Sequence, residues 1–222
     1  MNGLFVTATD TGVGKSVVAA AICAALAARG DRVAAFKPVV TGLDAPPGAW
    51  PADHDLLAAA TGQRPEEVTP VTFGPAVSPH LAAEMDATRI SAAGLSSAAI
   101  TAAKNADVLI CEGVGGLLVP LTLGFSVRDL AAELGLPLVI AARPGLGTIN
   151  HTLLTVESAR GAGLRVSGIV ITPWPDTPDA MVHSNRDTIQ ELSGVTVSTL
   201  GHTDPNTLAQ AGATLPLAEW LG

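Results

Sequence analysis

Aromatic and lysine side chains are scarce in this sequence of 222 residues. Aromatic residues make up 3% of it and tyrosine is absent, so the core has to be built from Ala, Val, Leu and Ile. The formal net charge of -8 opposes binding to a nucleic-acid backbone or to an anionic membrane surface. A small anionic ligand would need local positive groups, and the chain has only three lysines, Lys15, Lys37 and Lys104.

Cysteines and long apolar runs are also few. Cys23 falls in a helical pattern and Cys111 in a strand-like run, and two such cysteines indicate neither a disulfide framework nor a metal site. The longest apolar stretch, residues 17–28, is too short to cross a bilayer and follows no basic leader. We therefore expect a cytoplasmic protein with no membrane partner. No shift in composition divides the chain, so we expect one domain over residues 1–222.

The first informative motif is Thr-Ala-Thr-Asp-Thr-Gly-Val-Gly-Lys-Ser at residues 7–16, between a strand-like run and a helical pattern. Gly12 and Gly14 allow a tight turn whose N–H groups face an anion. Lys15 would reach the outer phosphates, and the Ser16 hydroxyl would take one coordination place on Mg²⁺. Thr9 stands where the strict motif has its first glycine. The stretch predicts a phosphate-binding loop with Gly12, Val13, Gly14, Lys15, Ser16 and Val17 as the nucleotide-binding residues.

Lys37 follows a short predicted strand, residues 32–36, and Pro38 prevents that strand from continuing. Ligands of open α/β sheets lie beyond the carboxyl ends of the strands, so Lys37 is predicted to share a crevice with the phosphate-binding loop. Residues 39–52, rich in proline and glycine, are predicted to form a loop that carries Thr41.

An acidic pair, Asp53 and Asp55, opens the next helical pattern. Asp53 suits a helix N-cap, and either carboxylate could reach Mg²⁺, because the spacing alone does not choose between them. We take Asp55 as the expected metal ligand because it precedes the Leu-Leu-Ala run of the helix.

Glu112 ends a run of apolar residues that reads as a strand buried on both faces. An acid at the end of a strand beside a phosphate-binding loop is the usual arrangement for holding the Mg²⁺ of a nucleotide. Glycines follow it, among them Gly115, and they allow the chain to lie close to a bound ligand.

Later strand-like runs at residues 137–142, 166–172 and 195–200 alternate with helical patterns. This alternation predicts an α/β fold with a mainly parallel sheet flanked by helices on both sides. Residues 143–150 lead from one such strand into a helix, whose free N–H groups can hold a carboxylate or a phosphate.

Four stretches, residues 9–16, 36–42, 112–116 and 147–151, resemble the successive motifs of the dethiobiotin synthetase family in the P-loop NTPase superfamily. The resemblance covers nearly the whole chain. It implies an enzyme that uses ATP and Mg²⁺ to join CO2 to 7,8-diaminononanoate and to close a ureido ring, through a carbamate and a carbamic-phosphoric anhydride.

The resemblance also implies roles for single residues. Catalysis would involve Lys15, Lys37 and Thr11, and Mg²⁺ would be held by Ser16, Asp55 and Glu112. Thr11, Thr41 and Gly115 would contact the amine or carbamate end of the substrate, with Gly115 also beside the nucleotide. The far carboxylate would lie near Leu146, Gly147 and Asn150 of a partner subunit, which implies a homodimer with a shared site.

The nucleotide base would lie at Thr172 and Pro173, where other members of the family resemble Asn-Asp. Pro173 has no N–H group to donate, so the base preference stays open between ATP and another nucleoside triphosphate.

Another class of protein with this motif is the partitioning-type or carrier-type ATPase, which uses nucleotide to switch between dimer states. That group carries an extra lysine at the start of its phosphate-binding loop, whereas Thr9, Asp10 and Thr11 stand there in this chain. A module that merely binds nucleotide would have no need of Lys37. The sequence thus favours an enzyme.

Overall fold

The computed structural model describes residues 1–46 and 48–222. The predicted loop 39–52 therefore includes one position, residue 47, that lies outside the described residues. Strands and helices alternate along most of the chain. The strands are β1 Gly3–Ala8, β2 Val33–Phe36, β3 Val108–Glu112, β4 Pro120–Thr122, β5 Phe125–Ser126, β6 Leu138–Ala142, β7 Val166–Trp174 and β8 Val197–Gly201. The helices are α1 Lys15–Ala28, α2 Asp53–Thr61, α3 Pro65–Val68, α4 Pro79–Met85, α5 Ala92–Ala103, α6 Val127–Leu134, α7 Thr148–Gly161, α8 Ala180–Ser193, α9 Leu208–Gly212 and α10 Leu217–Leu221.

Six of the strands form one sheet in the order β2-β3-β1-β6-β7-β8, and every neighbouring pair is parallel. The predicted α/β fold with a mainly parallel sheet is confirmed. Parallel strands bring their carboxyl ends to one edge of the sheet, so the segments that follow β1, β2 and β3 are neighbours in space. A small antiparallel pair, β4 and β5, lies within a stretch that the sequence analysis did not resolve into strands.

The core has two sides because side chains alternate along each strand. Leu4, Val6 and Ala8 of β1 pack with the apolar residues of α1, while Phe5 points to the other side and packs with residues of α5 and α6. All of these strand residues are fully buried. Helices on both sides of the sheet are therefore required to cover it, as predicted.

The exposed edge of β2 is covered by a side chain. Gln63 accepts a hydrogen bond from the N–H of Ala35 at 2.6 Å and donates one to the carbonyl of the same residue at 3.3 Å. Beyond the strand, the N–H of Lys37 donates to the carbonyl of Val68 at 2.9 Å. The edge groups of Ala35 and the N–H of Lys37 are thus paired.

The last two helices close the molecule against α1 and the sheet. Trp220 of α10 is fully buried, and Gly168 of β7 gives it room, since a Cβ there would lie 2.5 Å from the indole ring. Gly212 of α9 lies directly against the backbone of α1, where a Cβ would overlap the carbonyl of Ala21. Within the described ranges, no helix is long and apolar enough to cross a membrane.

We predict that Gly212→Ala lowers the free energy of unfolding by about 1–3 kcal/mol, because the added methyl group forces α9 away from α1. The measurement is urea denaturation. Gly161→Ala is the matched control, since a Cβ at this helical glycine meets no atom within 4 Å. The control should leave stability unchanged or raise it by about 0.5 kcal/mol. Equal stability of the two variants would contradict the close packing of α9 on α1.

Candidate active site

The loop between β1 and α1 has the geometry of an anion site. Gly12 and Gly14 adopt left-handed backbone angles, with φ of 69° and 99°, which side chains with a Cβ rarely tolerate. Among the described residues, no acceptor takes a hydrogen bond from the backbone N–H groups of residues 12–17. These donors lie at the positive end of α1, so they are available to phosphate oxygens.

Two lysines meet at one carboxylate oxygen beside this loop. Oε1 of Glu112 accepts hydrogen bonds from Nζ of Lys15 at 3.0 Å and from Nζ of Lys37 at 2.6 Å. The Glu112 side chain is fully buried, and those of Lys15 and Lys37 are 10% and 2% exposed. Lys37 also contacts Asp53, with Nζ 2.9 Å from Oδ2. The structure therefore brings together the two lysines that the sequence pointed to.

The sheet explains why these groups converge. In the register of the parallel strands Val6 pairs with Glu112 and Phe36 pairs with Cys111, so the ends of β1, β2 and β3 are level. Lys37 is the first residue after β2, and Lys15 is the first residue of α1. Each charged side chain thus starts at the same edge of the sheet.

The charges alter one another's protonation. Burial would lower the pKa of Lys37, but the carboxylates of Glu112 and Asp53 outweigh burial and raise it above its ordinary value. Burial lowers the pKa of Lys15, and the positive charge of Lys37 lowers it further. Burial would raise the pKa of Asp53, yet Lys37 and Lys15 hold it well below its usual range. Lys37 and Asp53 are thus held in their charged forms.

Three oxygen-bearing side chains lie together next to the lysines. Ser16 Oγ is 2.7 Å from Asp53 Oδ1 and 2.8 Å from Glu112 Oε1, although a hydroxyl has one proton to donate. Within the described residues, Glu112 Oε2 is buried without a hydrogen-bond partner. Such a concentration of hard oxygen atoms fits Mg²⁺, which usually takes one or two protein carboxylates and completes its shell with water and phosphate.

Asp55 lies outside this cluster. Its side chain is 51% exposed, and its oxygen Oδ1 is 3.9 Å from Nε2 of His54. Asp53 is the first residue of α2 and Ala52 holds the N-cap position, so Asp53 is not the N-cap that its residue type suggested. The structure therefore brings Asp53, rather than the expected Asp55, to Ser16 and Glu112.

A cleft of about 770 Å³ opens over the loop and the lysines. Thr11, Thr41 and Gly115 line it, as does Val17 of α1. Thr172 and Pro173, where the sequence predicts the nucleotide base, also line the cleft, and so does a segment that the sequence did not single out. That segment is the end of β8 and the turn after it, with Gly201, His202 and Thr203. The rule that ligands lie beyond strand ends could have pointed to it.

Leu146, Gly147 and Asn150 do not line the cleft. They lie where β6 turns into α7, and Leu146 is 92% exposed. Gly147 has a φ of 90° and precedes the first turn of α7. Among the described residues of one chain, these three are therefore not part of the cleft that holds the lysines.

We predict that Asp53→Asn reduces stability at neutral pH, with a difference from the unaltered protein that shrinks as the pH falls. The folded-state pKa of Asp53 lies below its unfolded value, so its charge stabilises the fold above about pH 4 and this stabilisation is lost in acid. The measurement is the free energy of unfolding between pH 7 and pH 2. Asp55→Asn is the control and should change stability by less than about 0.5 kcal/mol. A difference for Asp53→Asn that is independent of pH would refute the charge interaction.

Comparison with known proteins agrees with this geometry. A family profile described as an AAA domain matches residues 2–210. The ATP-dependent dethiobiotin synthetase BioD of Anaeromyxobacter dehalogenans strain 2CP-1 is 43% identical over 195 residues, which cover 87% of this chain and 86% of the relative. The protein of the same name from Bacillus cereus strain G9842 is 36% identical over 197 residues, covering 89% of this chain and 81% of the relative.

The crystal structure of a ParA family ATPase from Chlorobium tepidum TLS is similar in fold, with a TM-score of 0.56 and 15% identity, covering 98% of this chain and 92% of the other. At that identity the likeness concerns the fold alone. The relatives in sequence favour the synthetase over a partitioning ATPase and confirm the predicted resemblance. The chain belongs to the ATP-dependent dethiobiotin synthetase family.

Proposed function

We propose that this protein joins CO2 to 7,8-diaminononanoate at the expense of ATP and closes the ureido ring of dethiobiotin, releasing ADP and phosphate. The observation that carries the proposal is the meeting of Lys15 and Lys37 at one oxygen of Glu112, directly beside a loop of free N–H groups. A nucleotide site alone would need one lysine. A second buried lysine at the same point suits the joining of two anions.

The reaction explains why two cations are needed. One amine of the substrate adds to CO2 and loses a proton, giving a carbamate. A carbamate oxygen then attacks the γ-phosphorus and ADP leaves, so two negatively charged groups must approach each other. Lys15 would neutralise the phosphoryl oxygens and Lys37 the carbamate. Finally the second amine attacks the carbamate carbon, phosphate leaves, and a five-membered ring results.

Polar groups around the lysines would orient the substrate. Thr11 and Thr41 line the cleft together with Lys37, and they would contact the amine or carbamate end of the substrate. Gly115 has a φ of 58°, and a Cβ there would be crowded, 2.9 Å from Cγ2 of Val119 and 3.2 Å from Oγ1 of Thr11. Its backbone can therefore approach both the substrate and the nucleotide closely.

We assign the proposed Mg²⁺ to Ser16, Asp53 and Glu112, with Asp53 in place of Asp55. Asp53 and Glu112 both lie within 2.8 Å of the Ser16 hydroxyl oxygen, and Asp55 does not belong to this set. When bound, the ion would offset the negative charge of the phosphates.

The nucleotide base would lie in the part of the cleft lined by Thr172, Pro173 and the residues from Gly201 to Thr203. Pro173 offers no N–H group, so any donor to the base has to come from its neighbours in the lining, such as Thr172, His202 and Thr203. ATP is the expected co-substrate of this family, and the activity with other nucleoside triphosphates would show how strongly the base is selected.

The full site is proposed to require a homodimer. The N–H groups at the start of α7 would bind the far carboxylate of the substrate that lies in the partner's cleft, with Leu146, Gly147 and Asn150 around it. The exposure of Leu146, 92%, suits a side chain that is covered by a second subunit.

We further propose that residues 1–222 act as one domain in the cytoplasm, where the buried thiols of Cys23 and Cys111 remain reduced. The net charge of -8 argues against a nucleic-acid partner.

The test of the function is a phosphate-release assay. ATP should be consumed only when 7,8-diaminononanoate and bicarbonate are both present, and the organic product should have the mass of dethiobiotin. Lys37→Met should lower kcat at least about 100-fold, because the developing charge loses its cation, while ATP binding through Lys15 is retained. Equal phosphate release with and without the diamine would reject the proposed reaction.

The same assay tests the metal site and the base. Chelation of Mg²⁺ should abolish turnover, and Asp53→Asn should raise the Mg²⁺ concentration needed for half-maximal rate by about tenfold or more, whereas Asp55→Asn should leave it unchanged. CTP, GTP and UTP in place of ATP measure how far the base is selected.

A shared site predicts rescue between defective subunits. Lys37→Met damages the cleft, and Asn150→Ala damages the proposed carboxylate site, so each homodimer should be weakly active. Mixed dimers contain one cleft with neither lesion, and mixing after mild denaturation should restore up to about a quarter of the normal activity by random pairing. The control is each variant taken alone through the same mixing. If the mixture is no more active than the average of the two variants, the site is confined to one chain.

A further inference from the structure

Arg143 makes a hydrogen bond that neither the family motifs nor the cleft explains. It is the first residue after β6 and its side chain is exposed, yet Nη2 donates to the carbonyl oxygen of Thr11 at 2.8 Å. The two residues are 132 positions apart in the chain. Among the described residues, no other donor reaches this carbonyl.

The bond fixes one peptide plane of the phosphate-binding loop. The carbonyl of Thr11 and the N–H of Gly12 belong to the same planar trans peptide, so they point in opposite directions. Arg143 does not line the cleft, whereas Thr11 and Gly12 do. A carbonyl held towards Arg143 therefore directs the Gly12 N–H away from the guanidinium.

Without a hydrogen bond to the Thr11 carbonyl, the Thr11–Gly12 peptide of the phosphate-binding loop could reverse its orientation. Gly12 has a φ of 69°, and a glycine can turn the preceding peptide over at little cost. The reversed peptide would present a carbonyl oxygen to the phosphates and would repel them. The N–H of Thr11 belongs to the preceding peptide and donates to Asp10 Oδ1 at 2.7 Å. That bond does not hold the Thr11 carbonyl, whose orientation depends on Arg143.

Arg143 is itself well placed to restrain a neighbour. Pro144 follows it and limits the backbone. Asn185 of α8, which is 6% exposed, donates from Nδ2 to the carbonyl oxygens of Pro144 at 2.9 Å and Gly145 at 3.4 Å. The segment that carries Arg143 is thus fastened to the body of the protein.

We propose that Arg143 is a positioning residue for the nucleotide: through the Thr11 carbonyl it holds the Thr11–Gly12 peptide with its N–H towards the phosphates. The inference rests on the proposed nucleotide site. It assigns Arg143 no contact with the reacting atoms.

The test is the affinity for a non-hydrolysable ATP analogue with Mg²⁺, measured by calorimetry without the diamine. Arg143→Ala should raise Kd about tenfold, the scale expected for losing a hydrogen bond from a charged group. Arg143→Lys keeps a donor and should recover part of the loss. The matched control is Arg32→Ala, which also removes an exposed arginine. The Arg32 side chain makes two hydrogen bonds to the carboxylate of Asp107, at the end of the strands opposite to the cleft. Its Kd should stay within about twofold of the unaltered protein.

Salt separates positioning from simple attraction between charges. The tenfold loss should persist at about 0.5 M salt, where exposed charges are strongly screened. A loss that disappears in salt, an Arg143→Ala protein that binds as well as the control, or no recovery in Arg143→Lys would each overturn the proposal. If Arg143→Ala does not fold, Arg143→Gln and Arg143→Lys are compared with Arg32→Ala instead. Failure of the proposed nucleotide site is a different result, because the unaltered protein would then not bind the analogue.

Discussion

The site depends on one buried carboxylate oxygen that two ammonium groups share. A lone lysine at this depth would favour its neutral form, and two adjacent lysines would repel each other. Glu112 opposes both effects, and at Lys37 it outweighs them together with Asp53, whereas the pKa of Lys15 stays below its ordinary value. Two lysines and two carboxylates leave the cluster near neutrality. The two ammonium groups therefore lie together in a cluster whose formal charges balance.

Much of this arrangement could be predicted from the order of residues. Buried strands read as apolar runs, and in a parallel sheet their carboxyl ends lie at one edge. Lys37 and Glu112 each end such a run, and Lys15 follows a glycine turn after another. The direction of the strands is therefore enough to predict that these three side chains lie close together.

Other parts depended on features that the sequence does not express. Residues two apart on a helix point to nearly opposite sides, so only one of Asp53 and Asp55 can face the lysines, and the approach of the preceding loop decides which. The segment from Gly201 to Thr203 lines the cleft from beside β7, and the pattern of residues does not fix the strand order that puts β8 there. Arg143 was missed because a side chain that binds a distant carbonyl leaves no local motif.

The amide of Gln63 acts as a substitute strand, since it offers β2 both the acceptor and the donor that a neighbouring chain would bring. An uncovered edge invites pairing with other molecules and is a common origin of aggregation. Here one uncharged side chain blocks that recruitment a short distance before Lys37. The same two hydrogen bonds that close the edge of β2 thus lie two residues before the lysine at its end.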